Sequence, residues 1–117
     1  MAEAECFLEE WARNVAPGLG PRVEVVLAKL DEFRIELKGI EVTAGARRQG
    51  IGTRVMNQIT ELADRTGAAV ILFLEPSAAV RLEPFYQRFG FVSMDGGNSM
   101  EYEPQSPPQA PGRPSAQ

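Results

Sequence analysis

The stretch from Ile51 to Leu74 constrains the fold more than any other part of the chain. Ile51, Val55, Ile59 and Leu62 recur every three or four positions, and Met56 and Ala63 widen the stripe. That periodicity predicts an amphipathic helix from Ile51 to Arg65. Gly67 stands where a left-handed residue ends a helix. The following "AAVILFL" is a continuous apolar run of strand length, the pattern of a strand covered on both faces. Upstream, "FRIELKGIEVT" puts Phe33, Ile35 and Leu37 on one face of another strand. Strand, helix and strand in this order predict a right-handed parallel crossover.

Gly39 interrupts the first of these strands. After it the apolar positions become Ile40 and Val42, so the inward face changes parity, as a one-residue bulge would make it do. The remaining elements fit around this unit. Phe7, Leu8, Trp11 and Val15 give a helix over 5–15, which "APGLGP" ends. Val23, Val25 and Leu27 alternate in a strand, with Asp31 and Glu32 supplying the turn after it. "PFYQRFG" predicts a short helix with Pro84 in its first turn and Gly90 as its stop. "FVSM" and "SMEYE" flank "DGGN" as a hairpin. The order describes a single α/β domain with a mixed sheet over 1–103. Residues 104–117 are rich in proline and small polar residues and are expected to stay disordered.

Composition removes several classes of function. The 117 residues include one cysteine and no histidine, which excludes an internal disulfide, a histidine-based triad and the common zinc sites. A net charge of −4 disfavours binding to nucleic acid, which relies on clustered Lys and Arg. No apolar run approaches the roughly 18 residues of a membrane span. The acidic start "MAEAECFLEE" is unlike a signal peptide, so the expected location is cytoplasmic.

Against this acidic background, "VTAGARRQGIGTR" forms a local basic island at the mouth of the long helix. A helix start offers unpaired N–H groups and partial positive charge. Gly50 and Gly52 allow an anion to approach the backbone, and Arg47 and Arg48 add charge. A Walker A loop would need Lys and then Ser or Thr after the last glycine, where Thr53 and Arg54 stand. A dinucleotide fingerprint would need a small residue at Val55. The pattern that does fit is Arg-x-x-Gly-x-Gly, carried by Arg47, Gly50 and Gly52.

With "FYQRFGFV" downstream, this pattern resembles the GNAT superfamily of acetyl-CoA-dependent N-acetyltransferases, and more distantly its very small anti-CRISPR members. The resemblance covers roughly residues 22–103. It implies a minimal GNAT fold: a mixed, mostly antiparallel sheet with a central, splayed parallel strand pair flanked by helices. It further implies that loop amides near Arg47, Arg48, Gln49, Gly50, Ile51, Gly52 and Thr53 hold the pyrophosphate of acetyl-CoA. The strand at Val42 would pair with the pantetheine arm, and the thioester would lie where residues 37–43 splay from 69–74. Tyr86 matches the tyrosine that protonates the departing thiolate, and a packing role beside Phe85 and Phe89 is the alternative. Carboxylates at strand ends, Glu41 and Glu75 with Glu36 further back, are candidates for the base or else solvated edge charges. Cys6 is far in sequence from both motifs.

The resemblance departs at "EPSAAVRLEP", where a common asparagine is missing, and Pro84 predicts a tyrosine helix that is short or begins late. The front end is also shorter than in typical members. An open acceptor side favours a protein or peptide amine over a small amine, and a homodimer is another way to complete it. The expected activity is direct transfer of acetyl to a primary amine. An acyl-CoA-binding protein without turnover and an interaction or inhibitor module are the readings from other classes. Neither implies a metal.

Overall fold

The computed structural model describes residues 2–43, 50–94 and 98–105. Helix α1 (Glu3–Glu10) continues through a π-helical turn at Trp11–Val15 and a 3-10 turn at Ala16–Gly18. Strands β1 (Val23–Lys29) and β2 (Arg34–Val42) form an antiparallel pair. Helix α2 (Ile51–Thr66) crosses to β3 (Ala69–Phe73), which lies parallel to β2. Helix α3 (Pro76–Gln87) then leads to the short β4 (Val92–Ser93) and to β5 (Ser99–Tyr102). The sheet order is β1-β2-β3-β5-β4.

Apolar residues drawn from alternate strand positions make the core. Ile35 and Leu37 of β2, Val70 and Leu72 of β3 and Met100 of β5 are buried with Val55, Met56, Ile59 and Leu62 of α2. Phe7 and Ala4 of α1 are fully buried in the same cluster, and Phe7 stacks on Trp11. The ion pairs that tie α1 to β1 (Lys29–Glu5) and to α2 (Arg65–Glu10) are solvent-exposed. Exposed pairs contribute little, so α1 is held mainly by its apolar face. No helix of the described residues is long and apolar enough to cross a membrane.

The predicted parity switch in β2 is present. Val26 lies opposite Gly39 and Leu27 opposite Leu37, so Lys38 is the extra residue of a bulge. Ile35 and Leu37 face the core before it, and Ile40 and Val42 pack against the core after it. Two expectations need correction. Phe33 is 58% exposed, because it lies in the turn before β2, where its N–H donates to Asp31 Oδ1. The helix that carries Tyr86 starts eight residues earlier than Pro84 would suggest, at Pro76, with Pro84 in its interior. Pro76 sits in the first turn, where proline's missing N–H costs nothing. The burial of Ala79, and the ring contacts of Phe85 and Tyr86, outweigh the bond lost at Pro84.

Gly90 closes this helix with φ +98°, and an added Cβ would come within 3.0 Å of Tyr102 Cε1. Gly39 has no such φ, and a Cβ there would meet nothing within 4 Å. Urea unfolding should therefore show Gly90→Ala destabilised by about 2 kcal/mol and Gly39→Ala nearly unchanged. Equal effects would refute this account of Gly90.

Candidate active site

Pairing between β2 and β3 runs from Arg34 opposite Ala69 to Leu37 opposite Leu72, and stops there. β2 continues from Lys38 to Val42 alongside β1, while β3 ends at Phe73. The bulge at Lys38 thus coincides with the point where the parallel strands separate, leaving a cleft between their C-terminal ends. The N–H of Thr43 donates to the carbonyl of Arg22 at 2.9 Å, which marks Thr43 as facing β1. Antiparallel ladders alternate, so the backbones of Ile40 and Val42 are directed to the cleft side of β2.

Helix α2 begins at the same end of the sheet. Gly50 caps it with φ +74°, a left-handed conformation that L side chains rarely adopt. Its carbonyl accepts from Arg54 N at 3.0 Å, the first bond of the helix. The N–H groups of Ile51, Gly52 and Thr53 precede that bond and point out of the helix start. An added Cβ at Gly52 would lie 3.7 Å from Phe85 Cζ. This contact brings the glycine motif and the Phe-Tyr motif together, although Gly52 and Phe85 stand 33 positions apart in the chain.

Tyr86 follows Phe85 on α3. Its ring meets Phe85 and Phe91 edge-on, at centroid distances of 5.2 and 5.9 Å. No described residue hydrogen-bonds its hydroxyl. Burial raises the pKa of this phenol above the usual tyrosine value, so it stays protonated at neutral pH. Glu41 is exposed on β2, directly opposite Glu24 of β1. Glu75 is exposed as the residue before α3. Both lie at the end of the sheet where the cleft opens, Glu41 on β2 and Glu75 in the link from β3 to α3. Glu36 lies within the paired part of β2, opposite Ile71. Cys6 is half-buried on α1. Arg47, Arg48 and Gln49 lie outside the described residues, as does the tail from residue 106.

A groove of about 320 Å³ runs between the segment Gly18–Val23 and the first turns of α2. Arg22 and Arg54 line it, together with Gln58, whose Oε1 is buried without a hydrogen-bond partner among the described residues. Arg22's place in this groove was not legible in the sequence, because it is far along the chain from the glycine motif. The hydrogen bond from Thr43 to its carbonyl is what brings it near. Among the described residues no group of three or more His, Cys, Asp or Glu could hold a metal ion.

The profile of the acetyltransferase (GNAT) family matches residues 20–91, a span that takes in the splayed strands, the helix start and Tyr86. The chain belongs to the GNAT acetyltransferase family. Among curated proteins none matches it in sequence. Its fold is similar to that of Ard1 from Thermoplasma volcanium, with a TM-score of 0.56 and 20% identity over 70% of this chain and 62% of that one. It is also similar to nourseothricin acetyltransferase, with a TM-score of 0.54 and 25% identity over 69% of this chain and 56% of the other. This GNAT chain therefore spans about three-fifths of the length of these solved relatives. The mixed sheet with a splayed parallel pair is the fold that the family resemblance implies.

The two tyrosines of this GNAT domain give a direct test of the site's electrostatics. Tyr102 is buried and donates to Asp64 Oδ1 at 2.8 Å; burial first, and then this bond, raise its pKa. Tyr86 is raised by burial. A group raised on folding contributes stability that is complete below its unfolded value, about 10 for tyrosine. That contribution is lost as the pH climbs through the folded value. Absorbance titration at the phenolate band should show less than half of the tyrosine ionised at pH 10 while the protein is folded. Half-ionisation there would contradict the burial of both rings.

Proposed function

We propose that this protein is an acetyl-CoA-dependent N-acetyltransferase that acts on a primary amine, with a protein or peptide amine favoured. The observation that carries the reading is the convergence of three features at one end of the sheet. These are the strand separation at Lys38, the glycine-capped start of α2, and Tyr86 brought alongside by the Phe85–Gly52 contact. Family membership supports acetyl-CoA as the co-substrate.

In this reading the N–H groups of Gly50, Ile51, Gly52 and Thr53 hold the pyrophosphate, with charge from Arg47 and Arg48 and a further amide from Gln49. Arg22 and Arg54 add to the positive field on the far side of the helix start. The β2 backbone at Ile40 offers its groups to the pantetheine amides, and the thioester carbonyl lies in the cleft. The amine nitrogen attacks that carbonyl, and the carbon–sulfur bond breaks as the new amide forms. Tyr86 donates its phenolic proton to the thiolate. A proton leaves the amine to Glu41 or Glu75, directly or through water.

The paired carboxylates of Glu24 and Glu41 make a negative strip on an exposed face, which suits a cationic acceptor. No metal takes part in this scheme, and a nucleic acid or membrane partner is not invoked. The lone half-buried cysteine suits a reducing compartment, and we place the activity in the cytoplasm.

Tyr86→Phe should slow release of the free thiol from acetyl-CoA by about 100-fold and leave binding of acetyl-CoA, measured by calorimetry, within error. Gly50→Asp should weaken that binding by at least about 10-fold, through charge and bulk at the helix start. No heat of binding in the wild type would sink the cofactor reading. Binding without thiol release with any amine tried would leave an acyl-CoA-binding protein instead.

A further inference from the structure

Strand β1 pairs with β2 on one side and has no described strand on the other. It is seven residues long, without proline, and Val23, Val25, Val26 and Leu27 make it largely apolar. An edge of this kind is a template for another strand. The hydrogen bonds at its two ends establish which of its backbone groups are available. The carbonyl of Arg22 accepts from Thr43, and the N–H of Leu30 donates to Arg34, both at 2.9 Å. Even-numbered residues of β1 therefore face β2, and the bulge preserves this because its extra residue, Lys38, lies in β2. By alternation, Val23, Val25, Leu27 and Lys29 direct their N–H and C=O groups out of the free edge.

We propose that this edge pairs with the same edge of a second copy, antiparallel, about a two-fold axis at Val26. Three features select the second copy and this register. The odd-numbered residues must form the hydrogen-bonded pairs. Centring on Val26 sets Val25 opposite the second copy's Leu27 and Val23 opposite its Lys29, so all seven residues overlap. Roughly eight hydrogen bonds cross the axis in that arrangement.

Val26 then meets its own symmetry mate at a non-hydrogen-bonded position, with Cα atoms ~4.5 Å apart. It is 44% exposed in the single chain, so this contact covers an apolar side chain that the fold leaves open. Glu24 falls opposite the second copy's Ala28, so no like charges confront each other. A shift that brought the two Glu24 residues together would incur repulsion and shorten the overlap. The resulting ten-stranded sheet is isologous, as a two-fold interface must be. This pairing is independent of the acetyl-transfer reading and stands or falls apart from it.

Light scattering on the eluting full-length chain at tens of micromolar should give twice the monomer mass. Val26→Lys should give the monomer mass with an unchanged circular dichroism spectrum, because the side chain is exposed in the single chain and two lysines would meet on the axis. Val26→Glu should be monomeric for the same reason. An equimolar mixture of the two variants should recover the dimer mass, since Lys then faces Glu. A monomeric wild type, or a Val26→Lys variant that remains dimeric, would overturn the pairing. A mixture that stays monomeric would overturn the placement of Val26 on the axis.

Discussion

Strand β2 holds a partner along its whole length on one side and along only part of its length on the other. That asymmetry organises the rest of the structure. The extra residue at Lys38 keeps the ladder to β1 intact through the bulge, because Gly39 and Glu41 take up positions opposite Val26 and Glu24. On the other side, pairing to β3 ends at Leu37 and Leu72. Backbone groups directed into a cleft keep water or find another partner, since leaving them buried and unpaired costs roughly 1–3 kcal/mol each. The fold tolerates this opening because the closed half of the strand pair is well packed. Ile35, Val70 and Leu72 are almost wholly buried beneath α1 and α2.

Packing around Tyr102, which lies opposite Val70 near the start of β3, anchors the other half of the domain. Its ring lies against Phe91, at 5.5 Å between centroids, and Phe91 meets Tyr86 in turn. Its hydroxyl is held by Asp64 of α2, and the same carboxylate oxygen accepts the backbone N–H of Gln105. One side chain thus ties β5, α2 and the residues after β5 together. Gly90 exists at its position because the Tyr102 ring leaves no room for a Cβ. The glycine of the Phe-Tyr-x-x-x-Gly-Phe segment is therefore a packing requirement, and the tyrosine four residues before it gains its burial from the same cluster.

Much of this was legible in the sequence where a local pattern has a local cause. The stripe of Ile51, Val55, Ile59 and Leu62 predicted α2, and Gly67 ends it with φ +84° as read. The shift of apolar positions across Gly39 predicted the bulge to within one residue. The misreadings arose where tertiary contacts override a local rule. Pro84 argues against a helix, yet α3 passes through it. Phe33 looks like a core residue by alternation, yet it occupies a turn. The Phe85–Gly52 contact and the approach of Arg22 to the helix start depend on how distant segments pack, and no spacing along the chain encodes them.

The central claim is that one end of the sheet, from the bulge of β2 to the start of α2, is an acetyl-CoA site. Titration of isotope-labelled protein with acetyl-CoA, followed by amide NMR, tests it residue by residue. The account predicts the largest shifts at the amides of Ile51, Gly52 and Thr53 and along Gly39–Val42, with the amides of Ala4–Leu8 on α1 unmoved. Saturable shifts confined to other surfaces, or none at all, would contradict it.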